Sequence, residues 1–171
     1  MDKFRRRRYH SLRQMWRDLR WPMQNRPLVR QAMRGELVSF PFRERLMMAV
    51  TAVNQCRYCN YYHVKESLTA GLPEEEIRKL QDGIVDDAPA EELPALLYAQ
   101  HWAETDGNPD PDARQKLFAV YGAERAEAIE TVLRMIRMGN LWGNTADYLL
   151  YKLSFGRKGL TKADRQPQTT G

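Results

Sequence analysis

Apolar residues along this chain recur at steps of three and four and hardly anywhere alternate with polar ones, so the pattern predicts helices almost throughout. "RERLMMAVTAV" is apolar around its whole circumference and reads as a buried helix. "CRYCNYYHVKESLTA" is a second helix, ended by Gly71 in the usual position past a C-terminus. "LPEEEIRKL" restarts with Pro73 at the first helical position and three acids in the first turn, which suits the helix dipole. "AEELPALLYAQHWAET" puts Leu93, Leu96, Leu97 and Trp102 on one side, and "DPDARQKLFAVYG" begins with Asp110 as a candidate cap. The segment "AERAEAIETVLRMIRMGNLWGNTADYLLYKL" is long and apolar, with Gly139 and Gly143 permitting a kink or a close helix approach. The pattern describes an all-α, multi-helix bundle.

The start, "MDKFRRRRYHSLRQMWRDLRW", adds an amphipathic helix with Tyr9, Leu12, Trp16 and Leu19 as its stripe and arginines on its outer face. Residues 1–30 carry ten Lys/Arg and two Asp/Glu, whereas the rest of the chain carries 17 and 20, so the basic character belongs to this arm alone. Three readings compete for it: a solvated helix whose stripe packs on the body or a neighbouring subunit, a contact with an anionic membrane or nucleic acid, and a frayed start. The end, "GRKGLTKADRQPQTTG", has little to bury and reads as a mobile tail.

With 43% hydrophobic and 29% charged residues, the 171-residue chain suits one soluble domain. No apolar run approaches the roughly 20 residues that span a bilayer, and no secretory pattern opens the chain. The expected compartment is the reducing cytoplasm, where a close cysteine pair is more often catalytic or metal-bound than structural.

Both cysteines fall in "QCRYCNYYH". On one helix Cys56, Cys59 and His63 lie within a stripe of about 60°. Cysteines three apart have Cα atoms roughly 5–5.5 Å apart, within disulfide reach. A free thiol is only about 3% ionised at neutral pH, and an imidazole or a helix N-terminus raises that fraction. Asn54 is a natural cap candidate, which puts Cys56 in the first turn to gain from the dipole, while Cys59 gains from His63. A second thiol converts a sulfenic acid to a disulfide and protects it from overoxidation. Glu44 is the only acid in "PFRERLMMAVTAVNQ": either a solvated first-turn glutamate, or a partly buried carboxylate that orients His63 or takes its proton.

"ERLMMAVTAVNQCRYCNYYHVKESLTAGL" resembles the signature of the alkyl hydroperoxide reductase D family, within the carboxymuconolactone decarboxylase-like superfamily. That signature is a glutamate, twelve residues to a CxxC pair, then a histidine four past the second cysteine. Glu44, Cys56, Cys59 and His63 match every spacing, and the similarity extends over about residues 28–153. The resemblance implies an all-α fold assembled as trimers or hexamers, with thiol-dependent peroxide-reducing or disulfide-reductase activity and no cofactor or metal. It implies that His63 and Glu44 relay the proton of Cys59, that Cys59 attacks peroxide, and that Cys56 closes the disulfide, which a dithiol or protein reductant reopens. Some members have a histidine before the second cysteine; here it is Tyr58. The decarboxylase branch generally lacks the cysteine pair, and the basic arm lies outside the resemblance.

The chain is thereby divided into a basic arm (1–27), a helical redox domain (28–154) and a tail (155–171). Two other classes use the same residues differently. In a zinc protein Cys56, Cys59 and His63 would be ligands, with Glu44, His10 or His101 as a fourth. In a non-catalytic module the arm would carry the function, through an anionic surface. His10 reads as solvated and His101 as structural. Tyr58, Tyr61 and Tyr62 face away from the cysteine stripe, as packing residues or as a pocket wall. Asn140, Asn144 and Asp147 form a polar face on the long helix, as a cap, an inter-subunit network or support for the thiols.

Overall fold

Helix α3 (Phe40–Asn54) is enclosed on nearly every side, with Phe42, Leu46, Met48, Ala49 and Val50 at most 1% exposed. An evenly apolar helix has no face to offer water and takes the centre of a bundle. Each large side chain buried this way contributes about 1.5–3 kcal/mol. The computed structural model describes residues 4–165, and its regular elements there are all helical. Around α3 pack α4 (Arg57–Thr69), α5 (Glu74–Gln81), α6 (Leu93–Glu104) and α7 (Pro111–Leu153), while α2 (Arg26–Met33) covers α7. Helix α7 is two helices joined at Gly122, whose φ of 74° only glycine adopts freely. That break is the joint the sequence placed between "DPDARQKLFAVYG" and the long final helix. The all-α expectation holds.

Polar groups inside the bundle are paired across elements. Arg45 of α3 binds Glu76 on α5 and Glu92 before α6, all nearly buried, so removing one partner would strand a charge. Among the described residues no helix is long and apolar enough to cross a membrane.

The arm departs from the single helix expected of it. Helix α1 (Leu12–Gln24) starts only at Leu12, capped by Ser11, and buries none of its residues. Leu12 and Trp16 are 72% and 63% exposed, so the stripe faces outward rather than onto the body. Residues 4–10 are not helical: Phe4, Arg6 and Tyr9 are buried against the second half of α7 and the C-terminal segment. The four-arginine run is largely spent on this docking. Arg7 binds the carbonyls of Ala103 and Glu104 at the end of α6, and Arg8 stacks over Tyr148.

Within the segment set apart as a tail, residues 155–165 are described. They carry the short helix α8 (Lys162–Arg165), and Asp164 is buried against Arg6. Residues 166–171 lie outside the described residues.

Candidate active site

Helix α3 ends in a sharp corner. Gln55 takes a left-handed φ of 55°, its N–H donates to the Thr51 carbonyl, and α4 begins almost at once. The cap of α4 is Cys56 itself, not Asn54: Asn54 is still the last residue of α3, and the Cys56 Sγ accepts the Cys59 N–H at 3.3 Å. The thiol therefore occupies the position where an anion best satisfies the free N–H groups of a helix start.

The two Sγ atoms lie 2.7 Å apart as free thiols. The anion of this pair falls on Cys56. The Cys59 thiol hydrogen-bonds to it and, against the effect of burial, the N–H groups of Cys59 and Tyr58 help draw its pKa down to about 7. Cys59 is pushed the other way, first by that same hydrogen bond and then by burial and the neighbouring negative charge. Access is reversed: Cys56 is fully buried, and Cys59 is partly exposed.

Helix α7 closes the other side of the dithiol. A Cβ on Gly143 would lie 2.7 Å from the Cys56 Sγ, whereas one on Gly139 would sit 3.9 Å from the Cys59 Sγ. Only glycine at 143 allows this approach without displacing the sulfur.

Glu44 is not the solvated first-turn acid. It is 2% exposed, and His63 Nδ1–H donates to its Oε2 at 2.7 Å. Its Oε1 accepts two hydrogen bonds from Arg43, which also reaches the Met33 carbonyl. A carboxylate held by a guanidinium is an acceptor, which places the His63 proton on Nδ1 and leaves Nε2 free to exchange one. Arg43 was not singled out in the sequence; an arginine next to an acid on one helix is too common a pairing to carry a signal.

Glu44, Cys59 and His63 line one cavity of about 560 Å³, walled mainly by Met33, Met47, Tyr58, Tyr62 and Ile136. The three tyrosines are not packing residues: Tyr58, Tyr61 and Tyr62 are 45%, 66% and 56% exposed, and two of them form the cavity wall. The Tyr62 ring stands edge-on to His63, with centroids 5.1 Å apart.

The polar face of α7 supports this site. Asn140 bridges Asn54 and Thr51, and Asn144 donates to the carbonyls of Asn54 and Arg7. Asp147 accepts from Arg6, Arg57 and the Tyr58 hydroxyl. Among the described residues no group of three or more His, Cys, Asp or Glu is placed to hold a metal ion. Of the fourth ligands named for zinc, Glu44 is taken by Arg43 and His63, His10 is exposed on the arm, and His101 pairs with Asp110.

Fold and site thus define an all-helical protein with a free CxxC dithiol capping a helix beside a buried histidine–carboxylate pair. Residues 30–105 match the model of the Carboxymuconolactone decarboxylase family, the superfamily that includes alkyl hydroperoxide reductase D-like proteins. The match contains Glu44, Cys56, Cys59 and His63 but neither the arm nor α7. No curated protein and no solved structure matches the chain.

Proposed function

We propose that this protein is a thiol-dependent peroxidase whose dithiol is recycled by a dithiol or protein reductant. The observation that carries this reading is the opening of one cavity onto both the accessible Cys59 and the Glu44–His63 pair. The family includes enzymes of decarboxylase and peroxidase-like type, and the free cysteine pair favours the second.

In this mechanism the Cys59 proton passes to the Cys56 thiolate or to His63, and Glu44 stabilises the imidazolium. The Cys59 thiolate attacks the terminal peroxide oxygen. An S–O bond forms, the O–O bond breaks, and the departing alkoxide or hydroxide leaves as alcohol or water, taking up a proton from the relay. Cys56 then attacks the Cys59 sulfenic acid, closing the disulfide with loss of water. A reductant dithiol exchanges with that disulfide and restores both thiols. The burial of Cys56 and the partial exposure of Cys59 support attack by Cys59 and resolution by Cys56.

A free dithiol suits a reducing compartment such as the cytoplasm. The exposed apolar residues Leu12, Trp16 and Met23 of α1 suit assembly with further copies of the chain, as a trimer or hexamer. Steady-state peroxide consumption across several reductants tests the activity. Consumption sustained by a dithiol supports it, and none with any reductant, despite a rapidly alkylated dithiol, counts against it.

A further inference from the structure

Arg6 carries a guanidinium with no exposed surface, although it belongs to a segment of four consecutive arginines at the start of the chain. Burying a charge so completely is unfavourable unless it is paired and hydrogen-bonded. Here Nε donates to Asp164, Nη1 to Asp147 and Asn144, and Nη2 to the Gly159 carbonyl. Two of these acceptors lead directly to the dithiol. Asp147 uses its other oxygen to accept from Arg57 at 2.6 Å and from Tyr58 at 2.9 Å, the two residues between the cysteines. Asn144 donates to the carbonyl of Asn54, two residues before Cys56. Arg6 is thus one acceptor away from the chain on both sides of Cys56.

We propose that Arg6 is a positioning residue for the dithiol: its buried charge, held by Asp147 and Asn144 against the chain on both sides of Cys56, favours the Cys56 thiolate, so that thiol reactivity depends on the docked N-terminal segment. The positive charge of Arg6 also acts on Cys56 in the direction of the thiolate. The other charged and titratable groups around the dithiol include Arg43 and Glu44 on α3, Arg57, Tyr58, Tyr62, His63 and Glu66 on α4, and Asp147 on α7. Asp82 and Glu104 line a second cavity, on the Cys56 side. Among these groups Arg6 alone belongs to the N-terminal segment.

A clamp that merely holds helices together and a counter-charge make different predictions. Removing Arg6 takes away a positive charge and leaves the Asp147 carboxylate less compensated beside the dithiol, so the thiol pKa rises. Removing the charge of Asp147 leaves Arg6 and Arg57 in excess, so the pKa falls. Loosening the structure would move both variants the same way.

The inference rests on the dithiol being the reacting group, and alkylation reads that group without any peroxide, so its failure is separate from failure of the peroxidase activity. The test is the pH profile of iodoacetamide alkylation on the reduced full-length chain. Arg6→Gln is expected to move the midpoint up by roughly a few tenths of a pH unit, Asp147→Asn to move it down, and Arg6→Lys to stay near the wild type. If Arg6→Gln does not fold, a downward shift in Asp147→Asn with an unmoved Arg6→Lys carries the same conclusion. Shifts of Arg6→Gln and Asp147→Asn in the same direction, or an unmoved midpoint in Asp147→Asn, would overturn it.

Discussion

His63 donates through Nδ1 to Glu44 across 2.7 Å, although the two residues lie on different helices and 19 positions apart. The pair holds the imidazole by one nitrogen and leaves the other for the cavity it shares with Cys59. Glu44→Gln and His63→Ala should each slow Cys59 oxidation by about 100-fold while the helices persist, as stopped-flow fluorescence and circular dichroism would register. Because the two act as a unit, the double variant should be hardly slower than either single one. A double variant slower by the product of both effects would mean that they act separately.

The ionisation of the dithiol gives a pH signature. A thiol with its pKa lowered to about 7 is protonated below that pH and becomes an anion above it, so reactivity rises with pH through 7. Cys59 is displaced upward, so a second thiolate should not follow in the neutral range. Ultraviolet thiolate absorbance should therefore show one ionisation per chain between about pH 6 and 8.5, against roughly 8.5 for an ordinary cysteine. Replacing Cys59 by alanine removes the hydrogen bond that contributes most to this lowering, and the Cys56 midpoint should rise. Two thiolates appearing together near pH 8.5 would contradict the shared-proton geometry.

The two glycines of α7 supply an internal control. Gly143→Ala drives a Cβ against the Cys56 sulfur, and should lower stability by about 1–3 kcal/mol and disturb thiol reactivity. At Gly139 the same methyl meets only ordinary contact, so Gly139→Ala should raise helix stability by up to about 1 kcal/mol. Thermal denaturation of the two variants checks the opposite signs.

Much of the site was legible in the sequence because it is local. Cys56, Cys59 and His63 share one helix start, and Glu44 lies on the preceding helix, so periodicity and spacing bring them together. The cap differs from the Asn54 expected because Gln55 takes a left-handed turn that no composition rule announces, moving the start of α4 past Asn54 to Cys56. Tyr9 continues the spacing of Leu12 and Trp16, so the pattern alone describes the arm as one helix. Tertiary docking instead buries Phe4, Arg6 and Tyr9 and turns Leu12 outward. The polar face of Asn140, Asn144 and Asp147 was visible, but its partner Arg6 lies 141 positions from Asp147, beyond any local pattern.

The central claim is that Cys59 attacks and Cys56 resolves. It is tested most directly by adding one equivalent of an organic hydroperoxide to the reduced protein and following peroxide loss and thiol state by mass spectrometry. The wild type should consume the equivalent and lose two hydrogens as the Cys56–Cys59 disulfide forms. Cys56→Ser should be oxidised once at Cys59 and stall, and Cys59→Ser should leave the peroxide intact. A Cys59→Ser protein that consumes peroxide as fast as the wild type would contradict the account.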